Sequence, residues 1–184
     1  QQSHLIKLLP GSKINEGKRL RISYHHAVST NKGKQTICLT ESKGDQLLHQ
    51  DIENIDKLLK PKGLFLNYSE IRVANWCDTC RSRNISPGNL LADHFKRTKK
   101  FINTLDSRQR IFVWSDMFDP YHNAVDHYYL VNGSWAGSWK GLSPDVIIVN
   151  WNFSQKGPDS LKWFADLGLS QILAGYFDSN PRMI

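Results

Sequence analysis

Val146-Ile147-Ile148-Val149-Asn150-Trp151 is an unbroken apolar run that ends in an amide and an indole. A β-branched segment without polar alternation is what a strand covered on both faces looks like, and such strands belong to parallel sheets. Three further segments repeat the plan. Leu64-Phe65-Leu66-Asn67-Tyr68-Ser69-Glu70 runs into Ile71-Arg72, Ile111-Phe112-Val113-Trp114-Ser115 ends at Asp116, and Gln171-Ile172-Leu173-Ala174-Gly175-Tyr176-Phe177 ends at Asp178. Apolar strands that each finish in aromatic, carboxylate or amide groups match a parallel barrel whose strand C-termini build an active site.

Helical periodicity fills the intervals. Leu48, Ile52, Ile55 and Leu59 recur at helical spacing and stop near Pro61-Lys62-Gly63. Ser86-Pro87 supplies an N-cap and a first-turn proline for a helix with Leu91, Phe95, Thr98, Ile102 and Leu105 on one face. Pro158-Asp159-Ser160 opens a shorter helix that turns Leu161, Phe164 and Leu167 inward. Arg19 to Val28 reads as a further strand, and residues 1–18, with Pro10, Gly11 and Gly17, as an irregular lead-in. Strand-helix alternation predicts parallel strands joined by right-handed crossovers, hence an α/β chain of the TIM (β/α) barrel type. An open doubly wound sheet ranks second, because Gly133 and Gly137 form no Gly-rich phosphate loop.

With 184 residues the chain holds one domain, 1–184, yet a complete eight-fold barrel needs about 250. A partial or truncated barrel is therefore expected, its open edges covered by missing barrel segments or by another copy in a homo-oligomer. No apolar run approaches the roughly 20 residues that cross a bilayer, and Gln1-Gln2-Ser3-His4 is no charged signal-peptide start. The chain reads as soluble, without a membrane partner and with its compartment unassigned.

The net charge of +7 invites a nucleic-acid partner. The distribution argues against one, since Lys57, Lys60 and Lys62 close one predicted helix, while Arg97, Lys99 and Lys100 line another as a solvated face. Cys38, Cys77 and Cys80 are an odd number, which disfavours a paired disulfide framework. Cys77-Asp78-Thr79-Cys80 has the C-x-x-C spacing of zinc and redox sites, but no second pair follows, so ordinary thiols are favoured over a zinc site with Cys38 or a histidine. A rival constellation, Asp116, Asp119 and His122 with His127, has the ligand types for a divalent ion that activates water. Turn chemistry at Asp119-Pro120 is the plainer reading, and His25-His26 adds little because adjacent strand residues face opposite ways. No metal and no cofactor is expected.

Tyr68-Ser69-Glu70-Ile71-Arg72, followed by Trp76-Cys77, Cys80 and Pro87-Gly88-Asn89-Leu90-Leu91-Ala92-Asp93, resembles the fourth-strand region of family 20 glycoside hydrolases, the β-N-acetylhexosaminidases. Val113-Trp114-Ser115-Asp116-Met117, Val149-Asn150-Trp151 and Gly175-Tyr176-Phe177-Asp178 resemble later strands of that family, so the resemblance covers about residues 64–178. It implies a carbohydrate substrate of the N-acetylhexosamine type and retaining hydrolysis in which the substrate's own acetamido oxygen is the nucleophile. In that chemistry a Glu protonates the leaving oxygen, and a preceding Asp stabilises the acetamido group as it becomes cationic. Glu70 matches the acid/base, whereas Ser69 stands where the Asp should be.

By the same resemblance Tyr176 positions the acyl group, Asp116 and Asp178 meet sugar hydroxyls, and Trp114 and Trp151 wall the pocket. Arg72 and Asn150 complete the expected substrate-binding set. A hydroxyl carries no charge, and loss of one electrostatic stabiliser typically costs about a hundred- to a thousand-fold in rate. Asp116 is the nearest substitute by layout. The alternatives are a carbohydrate-binding barrel with impaired catalysis, or the metal-dependent hydrolase built on Asp116, Asp119 and His122.

Overall fold

The computed structural model describes residues 7–21, 29–30, 34–35, 38–105 and 110–175. Tyr176, Asp178, His25 and His26 lie outside the described residues, as does most of the strand expected over 19–28; its described part, 19–21, is not in a strand. Residues 7–21 are exposed and hold no helix or strand, as an irregular lead-in requires.

The elements run β1 (Ser29–Thr30), β2 (Lys34–Gln35), α1 (Ser42–Leu59), β3 (Gly63–Leu66), β4 (Val73–Ala74), α2 (Asp78–Arg81), α3 (Pro87–Leu105), β5 (Arg110–Trp114), β6 (Leu130–Val131), β7 (Val146–Asn150), α4 (Gly157–Asp166) and β8 (Ser170–Leu173). Short 3-10 helices occupy Asp116–Phe118 and Ser138–Gly141. The fold is mixed α/β around a parallel sheet of four strands, ordered β3-β5-β7-β8. That order follows the sequence without reversal. Among the described residues the sheet does not close into a barrel.

Local chemistry explains the element ends. The α1 helix stops at Lys60, a left-handed residue at φ 46° whose N–H reaches the Asp56 carbonyl, and Pro61 cannot continue the turn. The Ser86 hydroxyl accepts the Asn89 N–H and caps α3, with Pro87 in the first turn. Glycine is needed at position 88 because a Cβ there would fall onto the Trp135 and Ala136 carbonyls. At position 141 it would meet Ala92 at 2.9 Å, so the 138–141 turn lies against the α3 backbone only as glycine.

Register separates the two faces of the sheet. Leu64, Ile111 and Val146 form one row, and Leu66, Val113 and Ile148 the next; all are buried together with Phe95, Ile102 and Phe164 from α3 and α4. The intervening rows carry Phe65, Phe112 and Ile147, then Trp114, Val149 and Ile172. Phe65 is 46% and Ile172 47% exposed on this second face. Apolar strands therefore do not mean two covered faces here: the helices seal one, and the other stays partly open. On α4 only Phe164 of the three expected core residues is fully buried, and Leu167, just past the helix end, is 40% exposed.

Candidate functional site

The site is built where the carboxyl ends of β3, β5 and β7 meet. Beyond β3 the chain leaves the sheet and Glu70 takes a left-handed conformation, φ 48°, which is uncommon for a non-glycine residue. A buried carboxylate holds it there. Asp116, fully buried just past β5, accepts the Glu70 N–H at 2.8 Å through Oδ2. The same oxygen accepts Asn123 Nδ2 at 2.9 Å, and Oδ1 accepts the Trp151 indole N–H at 3.2 Å. One carboxylate thus joins the ends of three strands, and its charge is met by three donors.

Glu70 itself points outward, its side chain 41% exposed, and its Oε1 accepts from Arg72 Nη2 at 2.7 Å. The Arg72 guanidinium lies 4.7 Å from the Tyr129 ring centroid and also engages the Tyr128 hydroxyl. The hydrogen bond to Glu70 holds Arg72 more firmly protonated than an ordinary arginine. Burial pushes the Tyr128 phenol up to about 12; the Arg72 hydrogen bond opposes this, and the negative charges of Glu70 and Asp116 add to it. Tyr128 is thus a neutral hydroxyl at the rim.

The structure brings together Glu70, Ser69, Asp116, Arg72 and Trp151. Ser69 is half-buried next to Glu70. Trp114 is half-buried and packs edge-on against Phe65, with centroids 4.9 Å apart, on the open face of the sheet. Asn150 turns the other way: its Nδ2 donates to Ser160 Oγ of α4 and to Gln171 Oε1, and its Oδ1 accepts the Asn152 N–H. Its amide ties β7 to α4 and β8.

The rival metal set does not converge. Asp119 is fully buried, but its Oδ1 accepts the Tyr121 N–H and its Oδ2 the Asn152 amide, an Asx turn that closes the loop. The His122 ring packs edge-on against Trp151 at 4.4 Å, and His127 sits exposed in a left-handed turn. Among the described residues Asp116, Asp119 and His122 do not form a ligand-sized cluster, and the one such cluster is Cys38, Cys77 and Cys80.

No family model and no curated protein matches the chain.

Sequence reading missed three contributors. Asn123 was legible only as a loop polar residue, although its backbone N–H also binds the Asp116 carbonyl and so folds the loop back on the site. Tyr128 and Tyr129 flank Arg72 through the pairing of β4 with β6, strands of two residues each that leave no periodic signal. No helix among the described residues is long and apolar enough to cross a membrane.

Proposed function

We propose that this chain is a glycoside-hydrolase-like protein acting on N-acetylhexosamine-type sugars, with Glu70 as acid/base. The observation that carries the reading is the contrast between two carboxylates one hydrogen bond apart. Asp116 is sealed and fully engaged, while Glu70 is held by it in a strained backbone conformation and presented to solvent at the strand C-termini. Strain of this kind persists only where surrounding structure enforces it, and it clusters at functional sites. The resemblance of residues 64–178 to family 20 hydrolases supports the sugar class.

In this reading Glu70 gives its proton to the leaving glycosidic oxygen as the substrate's acetamido oxygen bonds to the anomeric carbon. It then takes a proton from the water that opens the cyclic intermediate. Arg72 and Tyr128 set the Glu70 carboxyl in place, and Trp151 walls the site. Trp114 is a second wall on the open face, and Tyr176 and Asp178 are the residues assigned to the acyl group and a sugar hydroxyl. Asp116 acts as a positioning residue, since both its oxygens are engaged by protein donors. Ser69 offers a hydrogen bond without charge.

That last point favours a second reading, a sugar-binding protein with impaired cleavage. Turnover of an aryl N-acetylglucosaminide that disappears in Glu70→Gln supports the first reading. Saturable sugar binding without turnover supports the second.

The sheet is proposed to be an arc of a (β/α) barrel. Strand order that follows the sequence, and an apolar second face with Phe65, Trp114 and Ile172 open, support this. Further βα units or a second copy would close it.

A further inference from the structure

Cys38 stands just ahead of α1, whereas Cys77 and Cys80 flank the first turn of α2. Separated by 39 and 42 residues in sequence, they meet in space. Cys38 Sγ lies 3.3 Å from both Cys77 Sγ and Cys80 Sγ, all three Sγ atoms lie within 4.8 Å of one another, and the three are free thiols. A zinc-class ion bonds thiolate sulfur at about 2.3 Å in a tetrahedron, which spaces sulfurs by roughly 3.7 Å. Cys38 Sγ stands only about 0.4 Å short of that spacing from each of the other two sulfurs, and the third pair lies within 4.8 Å.

Outer contacts are in place as well. The Thr40 hydroxyl lies 3.2 Å from both Cys38 Sγ and Cys80 Sγ, and the Cys80 N–H donates to Cys77 Sγ at 3.4 Å. Donors to ligating sulfur orient it and spread its charge. Burial is graded across the cluster: Cys80 is buried, Cys38 half-buried and Cys77 exposed, so the cluster is reachable from solvent at Cys77.

We propose that Cys38, Cys77 and Cys80 form a thiolate site for a divalent ion of the zinc class, one that clamps the segment before α1 to α2. The site is separate from the strand-end carboxylates. C-x-x-C spacing alone pointed to ordinary thiols, and the third sulfur delivered by the fold changes the reading. Such an ion stabilises the folded chain because the unfolded chain does not assemble the three ligands.

The test is metal content and cobalt spectroscopy on the purified chain. Expected are one zinc per chain after exhaustive dialysis against metal-free buffer and, on Co²⁺ substitution, thiolate-to-cobalt charge-transfer bands with tetrahedral d–d absorption. Cys38→Ser and Cys77→Ser should each weaken metal retention at least 10-fold. Cys77 is exposed, so its variant folds even where Cys80→Ser does not. Three freely titrating thiols with no bound metal and no cobalt bands would overturn the proposal. So would a disulfide between any two of the cysteines in non-reducing mass spectrometry of the freshly purified chain, or unchanged zinc retention in both serine variants.

Discussion

Two polar networks leave the end of β3 only two residues apart, and they are built to opposite ends. Behind the strand, the Tyr68 hydroxyl lies 2.8 Å from His94 Nδ1 and 3.1 Å from Thr98 Oγ1, while His94 Nε2 reaches Asp45 Oδ1 at 3.2 Å and Arg97 binds the other Asp45 oxygen. In front, Asp116 gathers Glu70, Asn123 and Trp151. The rear network encloses its phenol and imidazole under α3; burial lifts the Tyr68 phenol well above its ordinary value and pushes His94 down to about 4. The front network buries its anchor but leaves its last member, Glu70, in solvent. Polar groups that hold the fold are enclosed, and Glu70, the proposed acid/base, is displayed.

Removing the front anchor should have the largest effect. Asp116→Ala strands the Glu70 N–H, the Asn123 amide and the Trp151 indole N–H, so urea denaturation should show a loss of about 3 kcal/mol or more. Turnover should fall with it, because nothing then enforces the left-handed backbone at Glu70. A variant that keeps full stability would break the claim that this carboxylate joins three strand ends.

Acid should act on the rear network next. His94 is neutral when folded because burial outweighs the attraction of Asp45, so its folded pKa of about 4 lies below the ordinary 6.5. Between those values the unfolded chain binds the extra proton, so stability falls as pH drops from 6.5 toward 4 and levels off below. The contribution lost is on the order of 3 kcal/mol, and His94→Gln should flatten that part of a stability-versus-pH curve. A wild-type curve flat over the same range would contradict the enclosure of this network.

Smaller changes sharpen the contrast. Tyr68→Phe removes a hydroxyl shared by His94 and Thr98 and should cost about 1–2 kcal/mol in thermal or urea unfolding, with the Asp116–Glu70 network intact. Arg72→Ala breaks a rim ion pair with a partly exposed partner and should change stability by under about 1 kcal/mol, yet raise KM or lower kcat by freeing the Glu70 carboxyl. A stability loss as large as that of Asp116→Ala would show that the rim pair is structural.

Much of the frame was legible in the sequence because it rests on local signals. The apolar run 146–150 is β7, the Ser86-Pro87 start is the capped end of α3, and the periodic face through Phe95 and Ile102 is core. Glu70 was legible as the residue following an apolar strand, but it lies four residues past the Leu66 end of β3, in a left-handed turn the sequence does not announce. The open second face was not, because an apolar strand records what it can bury and not whether a partner is there to cover it. Nor was the direction of Asn150, one residue from Trp151 and turned to the opposite side by the strand's two-residue period. The role of Asp116 and the meeting of Cys38 with Cys77 and Cys80 depend on tertiary closure between elements some 40 residues apart, which spacing along the chain does not encode.

The most direct test compares wild-type chain with Glu70→Gln on an aryl N-acetyl-β-glucosaminide, with sugar binding measured in parallel. Both proteins should bind N-acetylglucosamine and share one fold, and any wild-type turnover should fall at least ~100-fold in Glu70→Gln. Equal turnover by the two proteins, or no sugar binding by either, would contradict it.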